Sequence, residues 1–210
     1  MSVPFVLALS VASALGSSSP NPCHPEAPPL ARASALGTVD ADTARRPTSA
    51  DLAFMKGMIG HHAQALVMTA LVPERSSRPE LGLLAERIDA SQRQEISQMQ
   101  LWLRDRGEEA PDPSSPHAHH GAGHAELMPG MLTPEDLTRL TAASGNAFDR
   151  LFLEFMIRHH EGALQMVADL RRTPGALQEP QLFDFASDVD ADQRAEIARM
   201  RRLLGTLPNG

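Results

Sequence analysis

The sequence predicts an all-α fold: a four-helix bundle made of two similar helical hairpins, with a short extra helix in the connection between them. A thirteen-residue cassette, M-I-x-H-H-x-x-A-L-x-M-x-A, occurs twice, at 58–70 and 156–168. Around it, ten of twenty positions are identical between 51–70 and 149–168 at a constant offset of 98. A second segment, Q-R-x-E-I-x-x-M, recurs at 92–99 and 193–200. Aromatics make up only 4% of the 210 residues, Tyr is absent, and Met reaches 10. Such an aliphatic, methionine-rich core suits packed helices better than sheets. Two amphipathic hairpins bury their apolar faces best by packing on one another.

The elements follow in order. Residues 1–16 read as a signal peptide: an uncharged apolar run from Val3 to Leu15 contains the A-x-A pattern Ala12-Ser13-Ala14, although a basic n-region is missing. The run is too short for a membrane span of about 20 residues. No lipobox precedes Cys23, which argues against a lipid anchor there. Residues 17–47, rich in Pro, Ser and Ala, read as a flexible tether. Thr48 and Asp51 form a capping-box signature for a helix running to about Leu71 and stopping at Pro73. Ser77-Arg78-Pro79-Glu80 opens a second helix, with an N-cap and an early Pro, which ends near Arg106-Gly107. The first hairpin thus occupies 48–107. A His/Met-rich linker follows at 108–132. The remainder, 133–205, comprises a short helix from Thr133 to about Ala143 and a second hairpin. Its helices run from about Ala147 to Arg171 and from about Pro180 to Leu204. Residues 48–205 form one domain.

Composition narrows the function. A formal charge of −7 argues against a general nucleic-acid binder. With Cys23 as the only cysteine, an intrachain disulfide and thiolate-rich zinc or iron–sulfur sites are excluded. No organic cofactor motif stands out.

The cassette carries the chemistry. On a helical wheel, Phe54, Met58 and Ala65 define the inward stripe, and His61 and His62 fall about 50° to either side of it. Met58 lies one turn before the pair and can share a ligand with either histidine. Met68 lies about 10 Å further along the axis than His61, so it needs another helix to join the same ion. On the second helix, Gln92, Glu95 and Met99 fall within the apolar stripe, and Gln193, Glu196 and Met200 are their counterparts. A glutamate in that position should be paired, because an unpaired buried carboxylate is costly. Glu95 and Glu196 can each orient an imidazole and fix which ring nitrogen faces a metal. The second copy of the cassette supplies Met156, His159, His160 and Met166. Thioether plus imidazole favours Cu(I), and the imidazoles also suit Cu(II). Zinc gains little from Met. Di-iron bundles use E-x-x-H motifs, and neither His pair has Glu three residues upstream. In the linker, His117, His119, His120 and His124 suit weak, exchangeable metal recruitment, and Met128 and Met131 in M-P-G-M suit soft-metal entry. Each feature has a plainer reading as well. Methionines on a helical face fill cores, a histidine can be a hydrogen-bonded core residue, and duplication copies core residues too.

These motifs resemble the domain-of-unknown-function 305 family over about residues 48–205. The resemblance rests on M-I-x-H-H-x-x-A-x-x-M at Met58–Met68 and Met156–Met166, Q-x-x-E-I-x-x-M-x-x-W-L at Gln92–Leu103, and M-P-G-M at Met128–Met131. It implies a ferritin-like bundle and an exported protein, and it implies copper ligation by His61, His62, His159, His160 and the matched methionines. The second hairpin departs from the pattern, with Leu203-Leu204 where the first has Trp102-Leu103. The leading expectation is an extracytoplasmic protein, not an enzyme, that sequesters or passes on Cu(I), with Ag(I) as a further candidate. Its partners would be the metal ion and a copper-transport or copper-resistance protein, without membrane insertion after signal cleavage. The alternatives are a metal-dependent oxidase and a metal-free helical interaction module.

Overall fold

The computed structural model describes residues 46–114 and 127–208. Six helices are found among them: α1 Ser49–Thr69, α2 Val72–Arg75, α3 Pro79–Arg104, α4 Pro134–Ala142, α5 Gly145–Arg172 and α6 Pro180–Leu204. The apolar run at 3–15, Cys23, nearly all of the expected tether and His117–His124 lie outside the described residues.

Local chemistry sets most of the boundaries. The Thr48 side chain accepts from the Asp51 N–H, and the Asp51 carboxylate accepts from the Thr48 N–H, completing the capping box. Thr133 caps α4 through the Asp136 N–H. Three readings need correction. Pro73 does not simply stop a helix: α1 ends at Thr69, and Pro73 enters the first turn of α2, where its missing N–H costs nothing. Helix α3 starts after Arg78 with no side-chain cap, and Ser76, not Ser77, accepts the Arg78 N–H at 3.1 Å. Helix α5 begins at Gly145, two residues before the expected Ala147.

The long helices form an antiparallel bundle. Along α1 the bonded pairs Lys56–Glu108, His62–Glu95 and Thr69–Asp89 step in opposite directions on the two segments, so α1 and α3 are antiparallel. Arg171–Asp190 and Glu161–Arg201 give the same sense for α5 and α6. Helix α1 packs on α5, and α3 meets α6. Two equivalent aspartates tie the hairpins together. Asp51 accepts from the Leu177 N–H (2.9 Å), holding Leu177 in the left-handed region at φ 58°; Asp149 accepts from Arg78 Nε at 3.2 Å.

The core consists of two apolar clusters stacked along the bundle axis. One contains Met68, Leu81, Ile88, Phe148, Phe152, Met156, Ile197 and Met200. The other contains Phe54, Met58, Ile59, Met99, Trp102, Val167, Leu182 and Val189. Each draws on α1, α3, α5 and α6. Every fully buried Leu, Ile, Phe or Met contributes about 1.5–3 kcal/mol. Those contributions must offset what lies between the clusters, which is polar.

Candidate metal centre

At one height in the bundle, each of the four long helices places two polar side chains inside. Helix α1 supplies His61 and His62, α3 Gln92 and Glu95, α5 His159 and His160, and α6 Gln193 and Glu196; all eight are buried. On every helix they fall where one apolar cluster ends and the other begins. Along α1, for example, they follow Phe54, Met58 and Ile59 and precede Ala65 and Met68.

Hydrogen bonds fix the rings. Glu95 Oε2 accepts from His62 Nε2, and Glu196 Oε2 accepts from His160 Nε2 at 2.6 Å. His61 Nε2 donates to the Pro129 carbonyl at 3.0 Å, and His159 Nε2 donates to the His61 carbonyl at 3.1 Å. A neutral ring with its proton on Nε2 carries its lone pair on Nδ1. The Nδ1 atoms of His61, His62 and His160 are buried and meet no hydrogen-bond partner; the same holds for both amide atoms of Gln92 and for Gln193 Oε1. The His61 and His159 rings lie 3.9 Å apart between centroids, with His62 6.4 Å from His61 and His160 6.2 Å from His159.

Burial keeps the central pair neutral. Desolvation, reinforced by His62 and then His160, pushes His61 down to about 3. His159 is held well below its usual range by burial first and then by His61, His160 and His62. Neutral imidazole is the form that ligates a metal. Between α3 and α6 a cleft of about 180 Å³ is lined by Ser91, Gln94, Glu95, Asp188 and Asp192. Burial and then Glu95, Glu196 and Asp188 raise the Asp192 carboxyl above its ordinary value.

The methionines bracket this layer. Met58 and Met99 lie in one cluster with Met166 packed against it, while Met156, Met200 and Met68 lie in the other. The two methionines of one cassette are therefore on opposite sides of the histidines: one side joins Met156 and Met200 with Met68 of the other hairpin, and the other joins Met55, Met58 and Met99 with Met166. Met131 is buried in the connection. Met128 and Met166 are half-buried and converge at Gly57, where a Cβ would lie 3.4 Å from Met128 Sδ and 3.8 Å from Met166 Cε. Among the described residues, no three His, Cys, Asp or Glu side chains converge on one ligand point.

Sequence reading missed the residues that hold the connection in place. Gln64 donates from Nε2 to the Leu132 carbonyl (3.0 Å), and its Oε1 accepts from the Leu132 N–H (2.7 Å). At the matching position of the second cassette stands Gly162, where a Cβ would overlap the Pro129 carbonyl. The signal in the sequence was the difference itself, Gln64 against Gly162 at one position of the repeat.

The fold and the layer define a class: an all-α bundle whose apolar core is interrupted at mid-height by imidazoles, carboxylates and amides, with thioethers on either side. The chain belongs to the DUF305 family, a domain of unknown function, whose family model matches residues 51–204. A DUF305 fragment from Deinococcus radiodurans is 32% identical, covering 77% of this chain and 100% of that one, with a TM-score of 0.65. A DUF305 protein from Streptomyces coelicolor, assigned as secreted, is 26% identical over 77% of this chain and 98% of its own (TM-score 0.63). CopM in its Cu(I)-bound form is 27% identical over 76% of this chain and 98% of its own (TM-score 0.58), and its Cu(II)- and Ag-bound forms match as well. No curated protein matches this chain. Among the described residues no helix is long and apolar enough to cross a membrane.

Proposed function

We propose that the protein binds copper outside the cytoplasm, taking Cu(I), with Ag(I) as a surrogate, for sequestration, transfer or tolerance. The observation that carries this reading is the set of buried, partnerless Nδ1 atoms on His61, His62 and His160 in a layer bracketed by thioethers. A buried polar atom without a partner is costly in a native protein, and a ligand accepted by those lone pairs relieves the cost. Imidazole with thioether is a donor set for Cu(I), and the histidines also suit Cu(II). His61, His62, His159 and His160 would supply nitrogen, and Met58, Met68, Met99, Met156, Met166 and Met200 would supply sulfur. Glu95 and Glu196 would orient two of the rings. The likeness to CopM in its Cu(I)-, Cu(II)- and Ag-bound forms supports the choice of metal. The apolar N-terminal run and the secreted relative support export.

The role is binding rather than catalysis, since both glutamates of the layer are engaged by histidines. We also read the two hairpins as copies of one ancestral hairpin in a ferritin-like bundle; the equivalent His62–Glu95 and His160–Glu196 bonds support that reading. Competition for Cu(I) against a chromophoric chelator tests the proposal. The wild-type protein should withdraw Cu(I) from the chelator, and the variant with His61, His62, His159 and His160 all changed to Ala should not. Undiminished binding by a folded quadruple variant would remove the assignment.

A further inference from the structure

The connection between the hairpins does more than link them. Its turn, Met128–Leu132, lies across the seam of α1 and α5 directly over His61. Three independent contacts hold it there. The Pro129 carbonyl accepts from His61 Nε2 at 3.0 Å. The Gln64 amide engages the Leu132 N–H and carbonyl together, at 2.7 and 3.0 Å. Gly130, at φ 76°, lies so close to Gly162 that a Cβ on either would meet the other's Cα or the Pro129 carbonyl. Only a glycine in each place allows backbone to rest on backbone.

The seat is built from a difference between the two cassettes. Gln64 and Gly162 occupy the same position of the repeat, two residues after the second histidine in one copy and in the other. Gln64 grips the turn, and Gly162 leaves room for it. The outcome is that His61 is wholly buried, and among the described residues the turn is what the connection lays over it. At the start of that turn Met128, like Met166 of α5, approaches Gly57, and both are half-exposed.

We propose that the Met128–Leu132 turn is the cover through which a soft monovalent cation reaches His61, with Gln64 and Gly162 as the positioning residues that keep it shut. This rests on the copper-binding reading for its cargo, but the cover itself can be tested without metal. Turns of this kind open by local unfolding, and the open fraction is set by the few contacts that close them. Loss of both Gln64 hydrogen bonds raises that fraction by about tenfold to thirtyfold.

The test uses the full chain with Gln64→Leu and, separately, Gly162→Ala, each checked for helicity. Hydrogen exchange at the Met131 amide, which donates to the Met128 carbonyl within the turn, reports whether the turn has loosened. Modification of His61 by diethyl pyrocarbonate, read by mass spectrometry, reports access without metal, and the rate of Ag(I) uptake reports access with it. The expected result is faster exchange, faster His61 modification and faster Ag(I) uptake in both variants, with wild-type Ag(I) stoichiometry. If the Met131 amide stays protected in Gln64→Leu, Gln64 is no latch and the proposal falls. Equally, if the turn loosens while His61 modification and Ag(I) uptake keep their wild-type rates, entry runs elsewhere, and the acidic cleft between α3 and α6 is the rival route. Faster His61 modification in a protein that binds no metal would keep the cover and remove the copper assignment.

Discussion

The two hairpins carry the same cassette and use it differently. His62 and His160 do the same thing, each donating to the glutamate of its own hairpin. Their neighbours diverge: His159 is satisfied by the carbonyl of its counterpart His61, whereas His61 turns to Pro129 in the connection. Beyond the histidines, the first hairpin keeps Trp102 where the second has the half-buried Leu203. The repeat thus preserves the polar layer and relaxes around it. The paired histidines and glutamates are alike in both copies and face the shared centre, whereas Gln64 and Gly162, which differ, seat the single connection.

That contrast can be broken most forcefully with acid. His61 titrates at about 3 in the folded chain and His159 well below its usual value, against about 6.5 when unfolded. Both folded values are depressed, so below pH 6.5 the unfolded chain binds protons that the folded chain refuses. The stability is complete above pH 6.5 and drains away as the pH falls toward 3. Each ring contributes about 1.4 kcal/mol per pH unit to that loss. Urea unfolding between pH 6 and 4 should show His61→Gln and His159→Gln each removing one proton's worth of slope. A slope that changes in one variant only would show that the two rings are not equivalent.

Truncation at the diverged pair should come next in size. Trp102 is buried, its indole N–H donates to Glu179 at 3.1 Å, and the Arg106 guanidinium lies 4.1 Å from the ring centroid. Trp102→Ala should cost about 3–5 kcal/mol, and Leu203→Ala about 1 kcal/mol in view of its partial exposure. Equal losses in urea titrations would mean that the second hairpin had compensated for its missing indole.

The smallest contrast is at the helix starts. Thr48 closes a capping box on α1, while Ser144, the N-cap of α5, makes no side-chain bond. Thr48→Ala should lower stability by about 1 kcal/mol, and Ser144→Ala should leave the urea midpoint nearly unmoved.

Much of this molecule can be read from the chain. Thr48, Thr133, Pro180 and Gly205 mark helix ends because capping is local chemistry, settled within a few residues. The inward lean of the paired histidines follows from helical geometry alone. What escaped is tertiary. The wheel separates Met68 from His61 but cannot say that Met68 packs with Met156 and Met200, since that depends on how α1 crosses α5 and α6. Gln64 and Gly162 escaped for a related reason. Their partners are backbone atoms of the Pro129–Leu132 stretch, which a repeat aligned only to itself leaves out.

The stacking of the two apolar clusters has a consequence for the chain as a folding unit. Neither hairpin owns a core: each cluster is assembled from all four long helices. An isolated hairpin would show half of each cluster to water and have the other half nowhere to find. The two halves are thus obligate complements, and the chain between them serves as a matchmaker, raising the concentration of one partner around the other.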